Sequence, residues 1–501
     1  MKKIGHLFLP IMLIASIMFS PIQLNAGNVD NAKARQVASY FMASQFGNKA
    51  ITADNLKLVY EIQNTTLNIP ALFIFNTADN RGFIVISGSD CLSPVIAYST
   101  EGCFDPNNIP PAMKNYLNEQ VQMIAYAQNN DAMPETCIAN EWRELTEQTL
   151  PYFGVSQKAI TKLLKSKWNQ DPLYNDMCPI INGNRAVTGC VATAMAQIIY
   201  YWRFPWVGKG QHTYWLDSLG EDITVRFGET YYDYDAMVDE LTYSSTQEQI
   251  NAVALLSYHC GVAVDMSYSF YGSGTSSTLV PRAMKMYFKY DKDSIDMLQR
   301  SDIRFSNNNS ATNPNSKDTA WVTIIRQEIM KGRPVYYSGN DPNAGGIHAG
   351  HAFVCDGYNS VTDKYWFNWG WGGYGNCWCN IYTSQLKAQG MGYNFTDGHQ
   401  IIIGIQPPAD TLAARNVGIT ETSNPFTASV YPNPASQQVT VNYLLDEGQY
   451  SELQIFDAAG RMIESLQLSP SSTEITIPVD NYRPGVYFCR LNGHSVKFVK
   501  K

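Results

Sequence analysis

TGCVATAMAQIIYYWRFP, at residues 188–205, is the stretch that decides how we interpret the rest of this chain. Its apolar residues recur at helical spacing from Val191 to Trp202, and Pro205 ends the pattern. Cys190 therefore lies at the N-terminus of a predicted helix, where unpaired amides and the helix dipole stabilise a thiolate and lower the pKa of a thiol. A buried cysteine at the start of a helix explains this stretch equally well by itself.

A second stretch, GGIHAGHAFVCDGY at residues 345–358, predicts a glycine-rich loop that enters a strand, and YWFNWGWGG follows at 365–373. A nucleophilic thiolate needs an imidazole that pairs with it and later protonates the leaving amine. The imidazole needs an acceptor that orients it. Cys190, then His351, then Asn368 is the papain order of these groups. A buried strand histidine and a hairpin turn explain each motif alone, but the three in this order favour catalysis.

Two histidines compete for the role of the base. His351 begins the apolar run of the predicted strand, so packing can fix its ring. His348 lies in the glycine-rich segment, where it is solvated or touches substrate. We therefore assign the base to His351. His259 lies inside an apolar helical stretch and is interpreted as a core histidine.

The composition gives no reason to expect a nucleic-acid partner. Charged residues make up 16% of the 501 residues, and the formal net charge is −8. Phosphate binding requires a basic patch, and no run of Lys and Arg occurs in the sequence. A chain of this length holds about two to four domains of ordinary size.

The N-terminus has the pattern of a targeting segment. A basic start precedes an apolar stretch from Leu7 to Phe19, which is short for a membrane-spanning helix. A small-residue site ends at Ala26, and polar residues follow at once. We predict a signal peptide at 1–26, in preference to a transmembrane anchor, and hence an exported protein.

Neither the cysteines nor the acidic residues form a convincing metal site. Cys377-x-Cys379 is too close for an ordinary disulfide and lacks the second Cys/His pair of a zinc site. Asp291-x-Asp293-x-x-Asp296 resembles a calcium loop without its glycine and distal glutamate, so a solvated turn is the better interpretation. We therefore predict no metal and no cofactor, and the pairing of the ten cysteines stays open.

Secondary-structure patterns divide the chain after the signal into three units and a linker. The first unit, 27–145, has predicted strands and a helix at Leu56–Tyr60, Ala71–Phe75, Phe83–Ser87 and Ala112–Gln128. The second unit, 146–406, opens on a helix-like stretch at Lys158–Lys167. A linker at 407–425 leads to an all-β unit at 426–501. The predicted strands of that unit are Val439–Tyr443, Glu452–Phe456, Glu474–Val479, Gly485–Leu491 and Ser495–Val499.

Three segments, TGCVATA, GHAFV and NWGWGG, resemble the streptopain and interpain family of papain-like cysteine proteases. The resemblance extends from residue 27 to residue 406, and GFIVISGSD, which begins at Gly82, is similar to the inhibitory propeptide of that family. It implies an α+β fold, in which a two-lobed papain-like catalytic domain follows an α+β propeptide.

The resemblance implies roles for four residues of the catalytic centre. Cys190 is the nucleophile, and His351 is the general base and acid. Trp369, with Asn368 beside it, holds the histidine. Aromatic residues around them would shield the bond between histidine and asparagine from water.

The resemblance also implies residues that contact the substrate. The segment WNQD matches the family segment that supplies the oxyanion-hole glutamine. Gln170, together with the N–H of Cys190, would therefore stabilise the developing oxyanion. Ser273 and Gly350 match substrate-contacting positions.

The final unit resembles a type IX secretion sorting domain. YPNPA at 431–435, FDAAGR at 456–461 and PGVYF at 484–488 occur in the order of that domain, before a strand that ends in lysine. The resemblance implies a small β-sandwich and a Gram-negative cell, from whose periplasm the protein is released or attached at the outer surface. A carbohydrate-binding or adhesive sandwich is the alternative.

We expect a secreted cysteine endopeptidase, made as a zymogen, that hydrolyses peptide bonds through a thioester on Cys190. Its expected partners are protein or peptide substrates, its own propeptide as inhibitor and the type IX secretion machinery. An acyltransferase or amidase with the same Cys–His pair is an alternative, because the chemistry is shared up to the acceptor. A catalytically inactive surface-binding protein is another, which the intact set of site residues opposes. The propeptide should be cut between Ala139 and Lys158, before Gln170.

Overall fold

The structure, a computed structural model, combines helices and sheets and confirms the α+β class. It describes residues 27–46, 51–130, 132–134, 136–147, 160–303, 316–341, 349–381, 398–415, 429–443, 451–457, 462–469, 474–491 and 494–501. The predicted signal peptide at 1–26 lies outside these residues. Within them, no helix has both the length and the apolar character needed to cross a membrane.

The elements are numbered in chain order. The helices are α1 Asn31–Gln45, α2 Pro111–Asn129, α3 Thr136–Glu147, α4 Cys190–Trp202, α5 Gln247–Val262, α6 Val280–Met286, α7 Ser316–Met330 and α8 Ala409–Arg415. The strands of the first two units are β1 Leu56–Asn64, β2 Ile69–Thr77, β3 Phe83–Ser87, β4 Val95–Ser99, β5 Ile160–Lys162, β6 Ile180–Ile181, β7 Asn184–Arg185, β8 His212–Leu216, β9 Glu221–Val225, β10 Asp296–Gln299, β11 Val335–Asp341, β12 Ala349–Asn359, β13 Lys364–Asn368, β14 Cys377–Cys379 and β15 Gln400–Ile403. The last strands are β16 Ser429–Tyr431, β17 Gln438–Asn442, β18 Ser451–Asp457, β19 Met462–Leu468, β20 Glu474–Pro478, β21 Gly485–Leu491 and β22 His494–Lys500.

One antiparallel sheet runs through both the first and the second unit. Its strand order is β1-β2-β3-β4-β14-β13-β12-β11-β15-β10, and β5 also pairs with β12. The two units meet where β4 pairs with β14, with Tyr98 opposite Trp378. The hydroxyl of Tyr116, on α2, lies 2.9 Å from the carbonyl oxygens of both Ile96 and Asn380. The first unit therefore extends the sheet of the second.

Helices cover both faces of this sheet. At β12, α4 packs on one face, and α2 and α7 pack on the other. Ala352 and Val354 belong to the buried cluster on the α4 face. Phe353 and Cys355 belong to the buried cluster on the α2 face. Successive side chains of β12 thus alternate between two cores, because a strand points its side chains to opposite faces in turn.

Local patterns predicted most of the first unit. The three predicted strands lie within β1, β2 and β3, and the predicted helix lies within α2. The prediction of a helix at Lys158–Lys167 is wrong, since the described part forms β5 and then irregular chain. Lys162 pairs with Gly357 and Ile160 with Asn359. β12 continues past the end of its ladder with β11. The pairing of β5 with that part of β12 outweighs the helical spacing of apolar residues in the predicted stretch.

The last unit is a sandwich of two small sheets, as predicted. Their strand orders are β16-β17-β20 and β19-β18-β21-β22. The inward-facing residues form one buried cluster, which includes Val439, Val441, Ile455, Ile477, Cys489 and Phe498. The sequence analysis missed β16 and β19, whose alternation is weak; β19 begins with the exposed Met462 and Ile463. The short helix α8 falls in the stretch predicted as a linker.

Every cysteine whose side chain the structure describes is unbridged. Cys377 and Cys379 lie on one face of β14, and their sulfurs are 3.3 Å apart. Both are fully buried at the junction with the first unit. Their role in this structure is packing between the sheet and α2.

Candidate active site

Cys190 begins α4, and the residue before it has a backbone conformation that favours glycine. The φ angle of Gly189 is 86°. A β-carbon at this position would come within 2.8 Å of the Met266 sulfur and 2.9 Å of the Ser273 carbonyl oxygen. The turn before Cys190 therefore requires glycine, and it brings the start of α4 close to the loop that contains Ser273.

The electrostatic state of Cys190 differs from the expectation from the sequence. Burial raises the pKa of its thiol, and the main-chain N–H groups of Ala352 and Val191 offset this effect only in part. A helix N-terminus lowers the pKa of a thiol only where its field outweighs desolvation. In this arrangement the sulfur is a protonated thiol at neutral pH.

His351 lies on the strand in front of Cys190, but on the opposite face. Ala352, whose N–H reaches the Cys190 sulfur, faces α4, so its neighbours His351 and Phe353 face α2. Both neighbours line a cavity of about 30 Å³, which side chains of α2 close from the other side. The structure thus brings the predicted nucleophile and base to one strand, and places them on different sides of it.

Trp369 is buried on the same face as His351. Its ring centroid lies 4.9 Å from that of Phe353 and 6.2 Å from that of Tyr116 on α2. Its indole N–H donates a hydrogen bond of 2.7 Å to the carbonyl of Gly375. Trp369 thus lies in an aromatic cluster to which the first unit supplies one ring, but Asn368, which this cluster was expected to shield together with the histidine, faces the other way.

Asn368 points to the α4 face. Its side-chain amide donates to the Gln197 side chain at 3.0 Å and to the Ser166 carbonyl at 2.8 Å. Gln197 is fully buried on α4 and also accepts from the Ser166 hydroxyl at 2.9 Å and the Trp168 N–H at 3.2 Å. This network ties α4, β13 and the segment before Gln170 together. The sequence analysis missed Gln197, although a single polar residue within an apolar helix is a signal of a buried hydrogen-bonding group.

Gln170 lies beside the start of α4. Its carbonyl accepts a hydrogen bond of 3.2 Å from the N–H of Thr188, two residues before Cys190. The loop after β13 holds the same segment, because the N–H of Gly372 donates to the Trp168 carbonyl at 3.1 Å. The segment that carries Gln170 therefore lies beside the start of α4, on the same side of β12 as Cys190.

The two predicted substrate-contacting residues lie in different surroundings. Ser273 is buried, and its hydroxyl donates to the Val187 carbonyl at 2.6 Å, so it supports the turn before Cys190. Gly350 is exposed on β12, next to His351. Only Gly350 presents an open surface in this structure.

Of the other two histidines of the sequence analysis, the structure describes only His259. His348 lies outside the described residues. His259 is buried, and its Nδ1 lies 3.0 Å from the Tyr232 hydroxyl. Burial lowers the pKa of His259 to about 4, so it behaves as the core histidine that the sequence predicts.

The sequence analysis quoted Asp356 in a motif but gave it no role. It is fully buried, and its Oδ2 accepts a hydrogen bond of 2.8 Å from the N–H of Leu164. Its carbonyl accepts from the N–H of Leu163 at 2.9 Å. Among the described residues no partner reaches its Oδ1. Burial raises the pKa of Asp356 to about 7. Asp356 thus binds β12 to the segment that leads to Gln170.

A helix that presents a cysteine towards a histidine-bearing strand is the arrangement of a cysteine-type peptidase. Comparison with known families confirms this class and the resemblance described above. Residues 168–379 belong to the Peptidase C10 family, whose sequence model they match. The Spi protease inhibitor model matches residues 26–139, and the Secretion system C-terminal sorting domain model matches residues 429–501. The chain therefore combines a region of a peptidase family with regions that match an inhibitor model and a sorting-domain model.

Similar proteins share this organisation in part. The chain is 30% identical to the thiol protease/hemagglutinin PrtT of Porphyromonas gingivalis over 397 residues, which are 77% of this chain but 43% of that protein. It is 28% identical to streptopain of Streptococcus pyogenes over 437 residues, 81% of this chain and 99% of that protein. A solved fragment of prointerpain A from Prevotella intermedia superposes with a TM-score of 0.54 at 28% identity, covering 70% of this chain and 99% of the fragment.

Proposed function

We propose that this chain is a secreted cysteine endopeptidase made as a zymogen, which cleaves peptide bonds of proteins or peptides. Cys190 would attack the peptide carbonyl and form a thioester, which water then hydrolyses. The observation that carries the proposal is the position of Cys190 at the start of α4, with Gln170 beside it and β12 in front of its sulfur.

Each step of the proposed reaction uses a group of this chain. His351, once on the α4 face, takes the proton of the Cys190 thiol and forms a thiolate–imidazolium pair. The side-chain amide of Gln170 and the N–H of Cys190 stabilise the developing oxyanion. The imidazolium protonates the leaving amine, and the imidazole then activates the water that cleaves the thioester. Trp369 and Asn368 would hold the ring in place.

The first unit, proposed as the propeptide at 27–145, would keep this pair apart. α2 packs against the face of β12 that carries His351, and its Tyr116 is bonded to the chain that follows β14. While the imidazole faces α2, no thiolate–imidazolium pair can form. The geometry therefore supports displacement of the base, rather than occupation of the cleft, as the mechanism of inhibition.

The proposed cleavage that removes the propeptide lies between residues 148 and 158. α3 extends to Glu147, and the indole N–H of Trp142 on this helix donates to the Leu92 carbonyl at 2.8 Å. This bond ties α3 to the first unit, so a cut within the helix would leave part of the inhibitor behind. A cut after Gln170 would remove the oxyanion donor.

The last unit, proposed at 426–501 after a linker at 407–425, would direct export by the type IX machinery. The matching sorting domain and the predicted signal peptide support passage through the periplasm of a Gram-negative cell. Deletion of 426–501 should leave the protein in the periplasm with its peptidase activity intact, as measured by cell fractionation and peptide cleavage. Normal export of the truncated chain would contradict this part of the proposal.

The experiment that tests the whole proposal is intact-mass spectrometry of secreted wild type beside Cys190→Ala. Wild type should appear without its first unit, and Cys190→Ala should remain a precursor that begins near Gly27. A Cys190→Ala chain that matures to the same mass at the same rate would show that another protease processes it. In that case, cleavage of a peptide by purified wild type would decide whether the chain is itself a peptidase.

A further inference from the structure

Two glutamates of the first unit each contact a basic side chain of the second. We call residues 27–147 the inhibitor unit and residues 160–406 the enzyme unit. Glu101 follows β4, and Glu119 lies on α2. The two therefore come from different elements of the inhibitor unit, and their contacts differ in burial.

Glu101 binds two lysines that flank the start of the enzyme unit. Its carboxylate oxygens lie 3.1 Å from Nζ of Lys162 and 3.6 Å from Nζ of Lys167. Burial alone would raise the pKa of Glu101, but the two lysines together lower it. The Glu101 side chain is 51% exposed, so salt screens this contact. Lys167 lies directly before the segment that carries Gln170, so this contact is made beside the proposed oxyanion hole.

Glu119 reaches the cavity that His351 lines. Its Oε1 lies 3.0 Å from Nε2 of His399, and Nδ1 of His399 lies 2.8 Å from the hydroxyl of Tyr337. The side chains of His399 and Glu119 are only 10% and 20% exposed. Arg300 also lines this cavity. The inhibitor helix is thus anchored next to the displaced base.

We propose that the inhibitor unit recognises the enzyme unit through Glu101 and Glu119, and that these two contacts set the rate at which the precursor matures. The inference rests on the proposed zymogen function and names the side chains by which the two units recognise each other. The pairing of β4 with β14 uses main-chain bonds, which carry little information about the partner. The two glutamates, in contrast, require basic side chains at fixed places. These partners are Lys162 and Lys167 for Glu101, and His399 for Glu119.

The test follows maturation of the full-length precursor with a single Glu→Gln substitution. Loss of the full-length band should be about threefold to tenfold faster for Glu119→Gln, whose contact is mostly buried, and about twofold to fivefold faster for Glu101→Gln. At about 1 M salt wild type and Glu101→Gln should mature alike, since that contact is half exposed.

Two controls separate charge from damage to the fold. Asp54→Asn removes an exposed carboxylate of the inhibitor unit and should leave the maturation rate unchanged. Glu101→Lys should mature fast, and the swap Glu101→Lys with Lys162→Glu and Lys167→Glu should return to within about twofold of wild type. The kcat/KM of the mature enzyme from each Glu→Gln variant should equal that of wild type, because the substituted residue leaves with the inhibitor unit.

Two results would overturn the inference and leave the zymogen intact. One is wild-type rates for both Glu→Gln precursors while wild type itself matures normally. The other is a charge swap that matures as fast as Glu101→Lys alone. A wild-type precursor that cleaves peptides as fast as the mature enzyme would instead overturn the proposed zymogen, and the inference with it.

Discussion

The two faces of strand β12 carry different parts of one chemistry. On the face towards α4 lie Cys190 and the segment of Gln170, both fixed by contacts within the enzyme unit. On the face towards α2 lies His351, and Trp369 packs there against Tyr116 of the inhibitor unit. Under the proposed mechanism, the first face has every catalytic group except the base, and the second face has the base. The comparison teaches that such a chain could be latent with all its catalytic groups present, because one side chain points to the other side of a strand.

The backbone of the strand fixes this division, because successive side chains of a β-strand point to opposite faces. Ala352 faces the Cys190 sulfur, so rotation of the His351 side chain alone does not bring the imidazole there. The strand itself has to shift or turn by one residue, which moves its neighbours to the other face as well. Phe353 resists such a change while it is packed in the cluster under α2.

The largest expected effect on activity comes from removing one proposed catalytic side chain from each face of β12. Cys190→Ala and His351→Ala should each lower kcat by about 10⁵–10⁶-fold, as for residues that act as one catalytic unit. The measurement is cleavage of a fluorogenic peptide by enzyme whose inhibitor unit has been removed by added wild-type protease. His348→Ala is the matched control and should keep much of the activity. A dead His348→Ala beside an active His351→Ala would reverse our assignment of the base.

The next effect concerns the α4 face alone. Gln170→Ala should lower kcat by about 10²–10³-fold with little change in KM, because one oxyanion donor is lost. Steady-state kinetics of the mature variant measure it. Asn251→Ala, an exposed position on α5, is the control for amide removal elsewhere. Near-normal turnover of Gln170→Ala would exclude this residue from the site.

A smaller effect, on the rate of thiol alkylation, reports whether maturation brings His351 to Cys190. In the precursor, burial raises the pKa of the Cys190 thiol, so thiolate is scarce at neutral pH and alkylation by iodoacetamide should become faster as pH rises. In the mature enzyme, His351 should stabilise the thiolate, so at pH 7 alkylation should be about tenfold faster or more. Intact-mass spectrometry at short times gives both rates. Equal alkylation rates for the precursor and the mature enzyme at pH 7 would mean that maturation does not bring His351 to Cys190.

The sequence predicted the elements that carry Cys190 and His351 better than it predicted on which face of β12 each residue lies. Periodicity placed Cys190 at a helix start, and the apolar run placed His351 on a strand, because both patterns are local. The side of the strand on which His351 lies depends on α2, which comes from a distant part of the chain, and no local pattern records it. Asp356 was missed for a related reason, because its importance follows from burial against other elements. Gln197 did have a local signal, a polar residue within an apolar helix, which the sequence analysis did not use.

The smallest expected effect, on the stability of the folded state, tests whether water reaches Asp356 on the α4 face of β12. Asp356 lies on that face, and burial raises its pKa to about 7, against about 3.9 in an unfolded chain. Between these values the unfolded chain has lost a proton that the folded chain still binds. The folded state therefore loses stability as pH rises from about 4 to about 7, and the loss stays constant above that. The substitution Asp356→Asn would remove this charge, and the amide oxygen could still accept from the N–H of Leu164.

We therefore expect Asp356→Asn to be more stable than its parent at pH 8 by about 2 kcal/mol, and to lose that advantage at pH 4. Urea unfolding of the Cys190→Ala precursor, with and without the second substitution, measures this difference and avoids maturation. Asp363→Asn, which replaces an exposed carboxylate after the same strand, should show no such pH dependence. If the two variants respond alike, water reaches Asp356, and the segment that leads to Gln170 is held by main-chain bonds alone. The α4 face would then be less rigid than its geometry indicates, and movement of β12 towards Cys190 would need a smaller rearrangement.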